Sequence, residues 1–241
     1  MRIKAVLFDF GDTLVQTPLK FDYETCLIRL HQSLLKNAVS ILYDDYRKAH
    51  IEIRDKIYSR HSIREVNFEV RISEALKRFG YSLKPTDKTV VEATEAFMEP
   101  WIQARIMEDD APSILQRLRA KYKLGVVSNF GYSPTVTKTL ERFDLIKFFD
   151  IVIVSADVGW RKPSPKIFKA ALKALVVSAS ESVFVGDELD HDVEGAKNVG
   201  MRTILLKKPS AKEINYKVEP DETIYDLKEI FHALKSLETA A

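Results

Sequence analysis

Ala5-Val6-Leu7-Phe8, running into Asp9-Phe10-Gly11-Asp12-Thr13-Leu14, and Val183-Phe184-Val185, running into Gly186-Asp187, are the stretches that decide the fold. Both runs are apolar at every position rather than at alternate ones, and both stop at a carboxylate. A strand that is apolar on both sides belongs in a sheet covered on both faces, the setting of a parallel sheet. Runs 124–127, 151–154 and 203–206 have the same character, rich in β-branched residues and bounded by turn residues.

Helical patterns lie between these runs. Pro112 opens one that carries Ile114, Leu115 and Leu118, and Pro134 opens another with Val136, Leu140 and Phe143. Pro165 opens a third with Ile167, Phe168, Ala171, Leu172 and Leu175. Proline suits a first helical turn, whose N–H groups have no partner within the helix. A fourth pattern runs from about Asp190 to Gly200, a helix-ending glycine. Strand and helix alternate, which predicts an α/β, doubly wound, mainly parallel Rossmann-like sheet.

Residues 16–107 read differently. They show no buried strand, only helical stretches over 22–38, 44–60, 62–79 and 86–104, with Gly80 and Pro85 dividing the last two. An all-α block inserted after the first strand predicts a second domain. The expected division is therefore 1–15 with 108–241 as the sheet-bearing core and 16–107 as the insertion. Tyr23, Arg29, Arg54 and Arg60 within it read as exposed helix residues.

Composition sets the outer limits. The chain has 241 residues, 46% hydrophobic and 30% charged, enough for a sizeable core. Lys and Arg number 37 against 35 Asp and Glu, a balance that argues against nucleic acid or an anionic membrane as partner. Asp9 and Asp12 interrupt the opening apolar run far short of a signal peptide, and no later run approaches a membrane span. Cys26 is the only cysteine, so no internal disulfide forms, consistent with a reducing, cytoplasmic setting. His31, His50, His61, His191 and His232 have no zinc-ligand spacing, and Cys26 and His31, five apart, face different ways on a helix.

In a doubly wound sheet, ligands bind beyond the carboxyl ends of the strands where strand order reverses. If the first and fourth parallel strands flank that point, Asp9 and Asp187 converge, and converging carboxylates need a cation or a proton. Oxygen-only ligands favour a hard ion, Mg²⁺ above all, which takes one or two carboxylates plus substrate phosphate. Ser128 and Asn129 close the run 124–127 with a hydroxyl and an amide suited to phosphate oxygens. Lys162 stands in a loop stiffened by Pro163 and Pro165, where its ammonium would offset carboxylate and phosphate charge.

These four elements, in this order, resemble the haloacid dehalogenase superfamily of hydrolases, and the resemblance covers essentially the whole chain. Asp9 and Thr13 match its first motif, Ser128 the second, Lys162 the third, and Gly186-Asp187 through Asp192 the acidic fourth. The resemblance implies a helical cap domain for the insertion. It implies Asp9 as a nucleophile forming an aspartyl-phosphate, with Ser128, Asn129 and Lys162 binding the phosphoryl group. Thr13 would position the first loop. Mg²⁺ would be held by Asp9, the Gly11 carbonyl, Asp187 and Asp192. The substrate class is a small phosphorylated metabolite.

One position departs from the family pattern. The residue two after the nucleophile is ordinarily a second aspartate that protonates the leaving group and activates water; here it is Gly11. General acid–base catalysis is worth roughly 10²–10⁴-fold. The expectation is weak phosphatase activity biased toward good leaving groups, unless Asp12 or a residue of the insertion substitutes. Two alternatives stay open: a metal-independent haloacid dehalogenase, against which the acidic fourth motif speaks, and a non-catalytic module that binds a phospho-ligand.

Overall fold

The computed structural model describes residues 2–58, 63–208 and 218–239. The chain divides into two compact units, Met1–Thr17 with Ile106–Ala241, and Pro18–Arg105. In chain order the elements are β1 (Ala5–Phe8) and β2 (Val15–Gln16), then α1 (Tyr23–Lys36), α2 (Tyr43–Tyr58), α3 (Phe68–Lys77) and α4 (Lys88–Ala104). Next come β3 (Ile106–Met107), α5 (Ala111–Arg119), β4 (Lys123–Ser128), α6 (Ser133–Arg142) and β5 (Ile151–Val154). The remainder is α7 (Ser155–Val158), α8 (Pro165–Leu175), β6 (Ser182–Gly186), α9 (Glu194–Lys197), β7 (Arg202–Leu206), β8 (Glu222–Ile224) and α10 (Ile230–Thr239).

The larger unit is built on a six-stranded parallel sheet in the order β5-β4-β1-β6-β7-β8. Successive strands go outward on one side of β1 and then outward on the other, so the order reverses at β1. Phe8 is in register with Val126 on one neighbour and Val185 on the other. That register brings the ends of β1, β4 and β6 to one edge of the sheet. The central strands β1, β4, β6 and β7 are buried on both faces over nearly all their length, as their unbroken apolar character predicts. Ala5, Leu7, Val127 and Phe184 meet Ile167, Phe168, Ala171, Leu172 and Leu175 of α8. Phe168 and Phe184 pack edge to face with ring centres 5.1 Å apart. Burying each such side chain contributes about 1.5–3 kcal/mol.

Among its described residues the unit Pro18–Arg105 carries four helices and no strand. Asp22 caps α1, its carboxylate accepting from the Glu24 N–H at 3.0 Å. Cys26, Leu27, Leu30 and Leu34 recur at helical spacing and are buried on α1, which packs along α4. Tyr23, expected on the surface, is half-buried, with its ring 5.3 Å from that of Phe97 and the Arg54 guanidinium 5.6 Å over it. Arg29 is exposed. Arg60, His61 and Ser62 lie outside the described residues.

Four details differ from the sequence expectation. The helix expected over 62–79 begins at Phe68. Upstream, the Glu65 carboxylate takes the Val66 N–H at 2.9 Å, and Arg71 takes the Val66 carbonyl at 3.2 Å, so side chains replace helical bonds. The pattern from Asp190 to Gly200 is a π-helical turn, Leu189–Val193, followed by α9. Gly200 ends it with φ +86°. Val15–Gln16 and Ile106–Met107 pair as a short antiparallel ladder, although residues 16–107 read as wholly helical. Finally, β8 and α10 complete the sheet-bearing unit without any signal noted in the sequence. No helix among the described residues is long and apolar enough to cross a membrane.

Candidate active site

Asp9 follows β1, and its N–H donates to the Val185 carbonyl at 2.8 Å, fixing it at the edge where strand order reverses. The chain then folds tightly: the N–H groups of Leu14 and Val15 both donate to the Phe10 carbonyl, at 3.1 and 3.2 Å. Asp12 takes the left-handed conformation (φ +54°) that this loop requires. Its exposed carboxylate accepts from the Thr17 N–H at 3.1 Å. Thr13 is buried and donates to Asp187 Oδ1 at 3.3 Å, joining the first acidic segment to the fourth.

The fourth segment doubles back on itself. After Gly186 the π-helical turn returns Asp192, fully buried, to the strand end. Asp192 Oδ2 accepts from the Glu188 N–H at 3.0 Å, and Oδ1 accepts from Lys162 Nζ at 2.7 Å. Lys162 Nζ also donates to Asp9 Oδ1. The segment carrying Lys162 lies against Gly195, where a β-carbon would stand 2.9 Å from Pro163 Cα and 2.6 Å from the Phe168 ring. The Lys162–Pro163 peptide is cis.

The structure therefore brings Asp9, Thr13, Lys162, Asp187 and Asp192 together. Ser128 ends β4, the neighbour of β1, and is buried. Asn129 follows it, with its carboxamide turned to the Lys162 backbone, at 2.7 Å from the N–H and 3.0 Å from the carbonyl. Gly11 is half-buried beside Val15. Sequence reasoning singles out the charged groups but misses the backbone N–H of Glu188 and the tie between Asn129 and Lys162. Neither leaves a compositional signal, because each depends on where two distant segments meet.

Charge is crowded here. Burial pushes the Asp9 carboxyl up to about 7; Lys162 opposes that and Asp192 reinforces it. Burial, with Asp9 and Asp192 nearby, pushes Asp187 up to about 8. Burial works against the Lys162 ammonium, but Asp192 and Asp9 outweigh it and hold it above its ordinary value. Asp9, Asp187 and Asp192 each offer an oxygen within 4.8 Å of the others. Three carboxylates facing one ammonium, with oxygen as the only donor atom, fit a hard divalent cation.

Other candidates have other roles. His191 is half-buried with Nδ1 2.7 Å from Glu188 Oε2, and that hydrogen bond raises its pKa. Burial pushes the Cys26 thiol up to about 12, which removes it as a nucleophile.

A parallel sheet with a carboxylate nucleophile candidate, a buried lysine and an acidic cluster at its switch point defines a class of hydrolases. The family model for haloacid dehalogenase-like hydrolases matches residues 6–206. The chain is 31% identical to the glyceraldehyde 3-phosphate phosphatase of Pyrococcus furiosus, over 97% of this chain and 94% of that one. Among solved structures it is similar to a phosphatase of the same superfamily from Thermococcus onnurineus, with 29% identity and a TM-score of 0.66, covering 96% and 98% of the two chains. It is also similar to the 2-haloacid dehalogenase from Pseudomonas syringae, with 26% identity and a TM-score of 0.72, covering 97% and 99%. The chain belongs to the haloacid dehalogenase-like hydrolase family, and it is an enzyme of the hydrolase class.

Proposed function

We propose that this hydrolase is a Mg²⁺-dependent phosphatase of small phosphate esters, working through an aspartyl-phosphate on Asp9. The charge balance of the site carries this reading. Asp9, Asp187 and Asp192 crowd around Lys162, and burial with mutual repulsion holds the Asp9 and Asp187 carboxyls toward their protonated forms, a cost that a bound divalent cation would lift. A metal-free dehalogenase or a passive binder has no use for three converging carboxyl groups, whose crowding only destabilises it.

Lys162 occupies Asp9 Oδ1, so Oδ2 is the oxygen offered to phosphorus. Its attack forms a P–O bond to Asp9 and breaks the ester P–O bond; the leaving oxygen departs as an alkoxide or phenolate and takes its proton from solvent water. Water then attacks the aspartyl-phosphate and releases inorganic phosphate. Dividing one displacement into two is covalent catalysis. Lys162 offsets charge on the phosphoryl group, Ser128 donates to its oxygens, and Thr13 holds Asp187 in place. Asp9, the Gly11 carbonyl and Asp187 would hold Mg²⁺, with Asp192 as a further direct or water-mediated ligand; when bound, the ion neutralises and orients the phosphoryl group.

The helical unit is read as the family's cap domain, the source of substrate selectivity. The relative in Pyrococcus furiosus makes glyceraldehyde 3-phosphate the first natural substrate to try. A phosphorylated metabolite as substrate and Cys26 as a free, buried thiol support a cytosolic setting. The deciding experiment is hydrolysis of p-nitrophenyl phosphate with Mg²⁺, with EDTA, and by Asp9→Asn. Turnover that requires both Mg²⁺ and Asp9 supports the proposal. Turnover of a haloacid that survives EDTA overturns it in favour of carbon–halogen chemistry.

A further inference from the structure

Lys162 has to place one ammonium on two carboxylates at once, yet its backbone belongs to no regular element. It follows α7, which closes at Gly159 in the left-handed conformation, and precedes Ser164, the residue that caps α8. No strand or helix among the described residues contains Lys162. The stem of a lysine carries about 2 kcal/mol of rotamer entropy, so precision at Nζ has to begin with a fixed Cα.

The structure supplies that anchor from the residue after Ser128. Asn129 Oδ1 accepts from the Lys162 N–H at 2.7 Å, and Asn129 Nδ2 donates to the Lys162 carbonyl at 3.0 Å. One side-chain amide thus pairs with both polar groups of one residue, as a neighbouring strand would. A second tie backs it up. The Phe130 N–H donates to Ser155 Oγ at 2.9 Å, and Ser155 Oγ donates to the Phe130 carbonyl at 3.2 Å. Ser155 is fully buried, so this bond is shielded from water. Together the two ties lock the segment after β4 to the segment from Ser155 to Lys162.

We infer that Asn129 is a positioning residue for Lys162 rather than a ligand of the substrate, the role expected from its place beside Ser128. This rests on the reading of Lys162 as the cation that offsets phosphoryl charge. Asn129 sets where the lysine backbone stands, and the lysine acts. A misplacement near 1 Å at a reacting centre can cost ~10²-fold in rate.

The test is a double-mutant cycle with p-nitrophenyl phosphate and Mg²⁺, comparing Asn129→Ala, Lys162→Met and the double variant. Asn129→Ala should lower kcat by about 10–100-fold and leave KM within about threefold. In the Lys162→Met background the same change should cost less than about twofold, because its effect passes through the lysine. A raised KM with kcat retained, or a full penalty in the Lys162→Met background, overturns the inference.

A second readout needs neither turnover nor metal. In wild-type protein, acetic anhydride should label buried Lys162 more slowly than exposed Lys48, as read by peptide mass spectrometry. Asn129→Ala, and the near-isosteric Asn129→Asp in case the first variant misfolds, should speed labelling of Lys162 and leave Lys48 unchanged. Unaltered protection in a folded variant overturns the inference. If wild-type protein hydrolyses no phosphate ester, the proposed function fails and the labelling result alone decides the role of Asn129.

Discussion

Gly186 stands so close to Asp192 that a β-carbon on it would lie 2.3 Å from Asp192 Oδ2. That approach lets Asp192 reach the Glu188 N–H and Lys162 together. Gly186→Ala should push the carboxylate off both partners. Groups that orient a metal site are typically worth 10–100-fold in metal affinity or activity. The Mg²⁺ concentration giving half-maximal phosphatase activity should rise by about that factor. An unchanged Mg²⁺ titration would show that Asp192 repacks without disturbing the site.

The contrast between Ile151–Val154 and Glu222–Ile224 shows where the fold is legible in sequence. The first is four apolar, β-branched residues in a row, half-buried to buried although it too lies at a sheet edge, and it reads as a strand unaided. The second is three residues at the sheet edge with only Ile224 buried, and β7 defines it more than its own pattern does. The ladder of Val15–Gln16 with Ile106–Met107 is shorter than any period that could reveal it. The site divides in the same way. Asp9, Lys162 and Asp187 declare themselves by charge at the ends of strands or in a stiffened loop. The partnership of Asn129 with Lys162 exists only after two loops meet.

His50 ties the stability of the helical unit to pH. It is buried, with Nε2 3.4 Å from the Tyr23 hydroxyl and Nδ1 3.5 Å from that of Tyr46. Burial, with Arg71 and Arg54 nearby, lowers its pKa from 6.5 to about 3. As pH falls below 6.5 the unfolded chain takes up a proton that the folded chain refuses, so stability declines by up to about 1.4 kcal/mol per pH unit. His50→Gln removes this component. The loss of unfolding free energy in urea between pH 7 and pH 5 should shrink by about 2 kcal/mol. An equal loss in both proteins would place the titrating group elsewhere.

Asp187 should show opposite effects with and without metal. Burial pushes its carboxyl up to about 8, so the stability it contributes is complete below its ordinary value of 3.8 and is lost as pH rises through 8. In EDTA near pH 8, Asp187→Asn removes that burden while keeping an oxygen for Thr13, and Tm should rise by a few degrees, on the order of 1–2 kcal/mol. Mg²⁺ at ~100 times its Kd should stabilise the wild-type protein by about 2.7 kcal/mol and the variant hardly at all. A variant that loses Tm in EDTA and still responds to Mg²⁺ would remove Asp187 from the metal site.

Gly11 is not required by the backbone. It does not hold a left-handed φ, and nothing lies within 4 Å of where its β-carbon would stand. Asp12, one residue on, has one carboxylate oxygen on the Thr17 N–H. Gly11→Asp should therefore fold normally and place a carboxyl group beside the reacting centre. Protonating a leaving group matters most where that group leaves poorly. The kcat/KM for glyceraldehyde 3-phosphate should rise by at least ~10-fold relative to that for p-nitrophenyl phosphate, within the ~10²–10⁴-fold range of general acid–base catalysis. If both substrates gain equally, the new carboxylate acts on the water step rather than on the leaving group. If neither gains, the wild-type enzyme already draws its acid from another residue, and Gly11 is no defect.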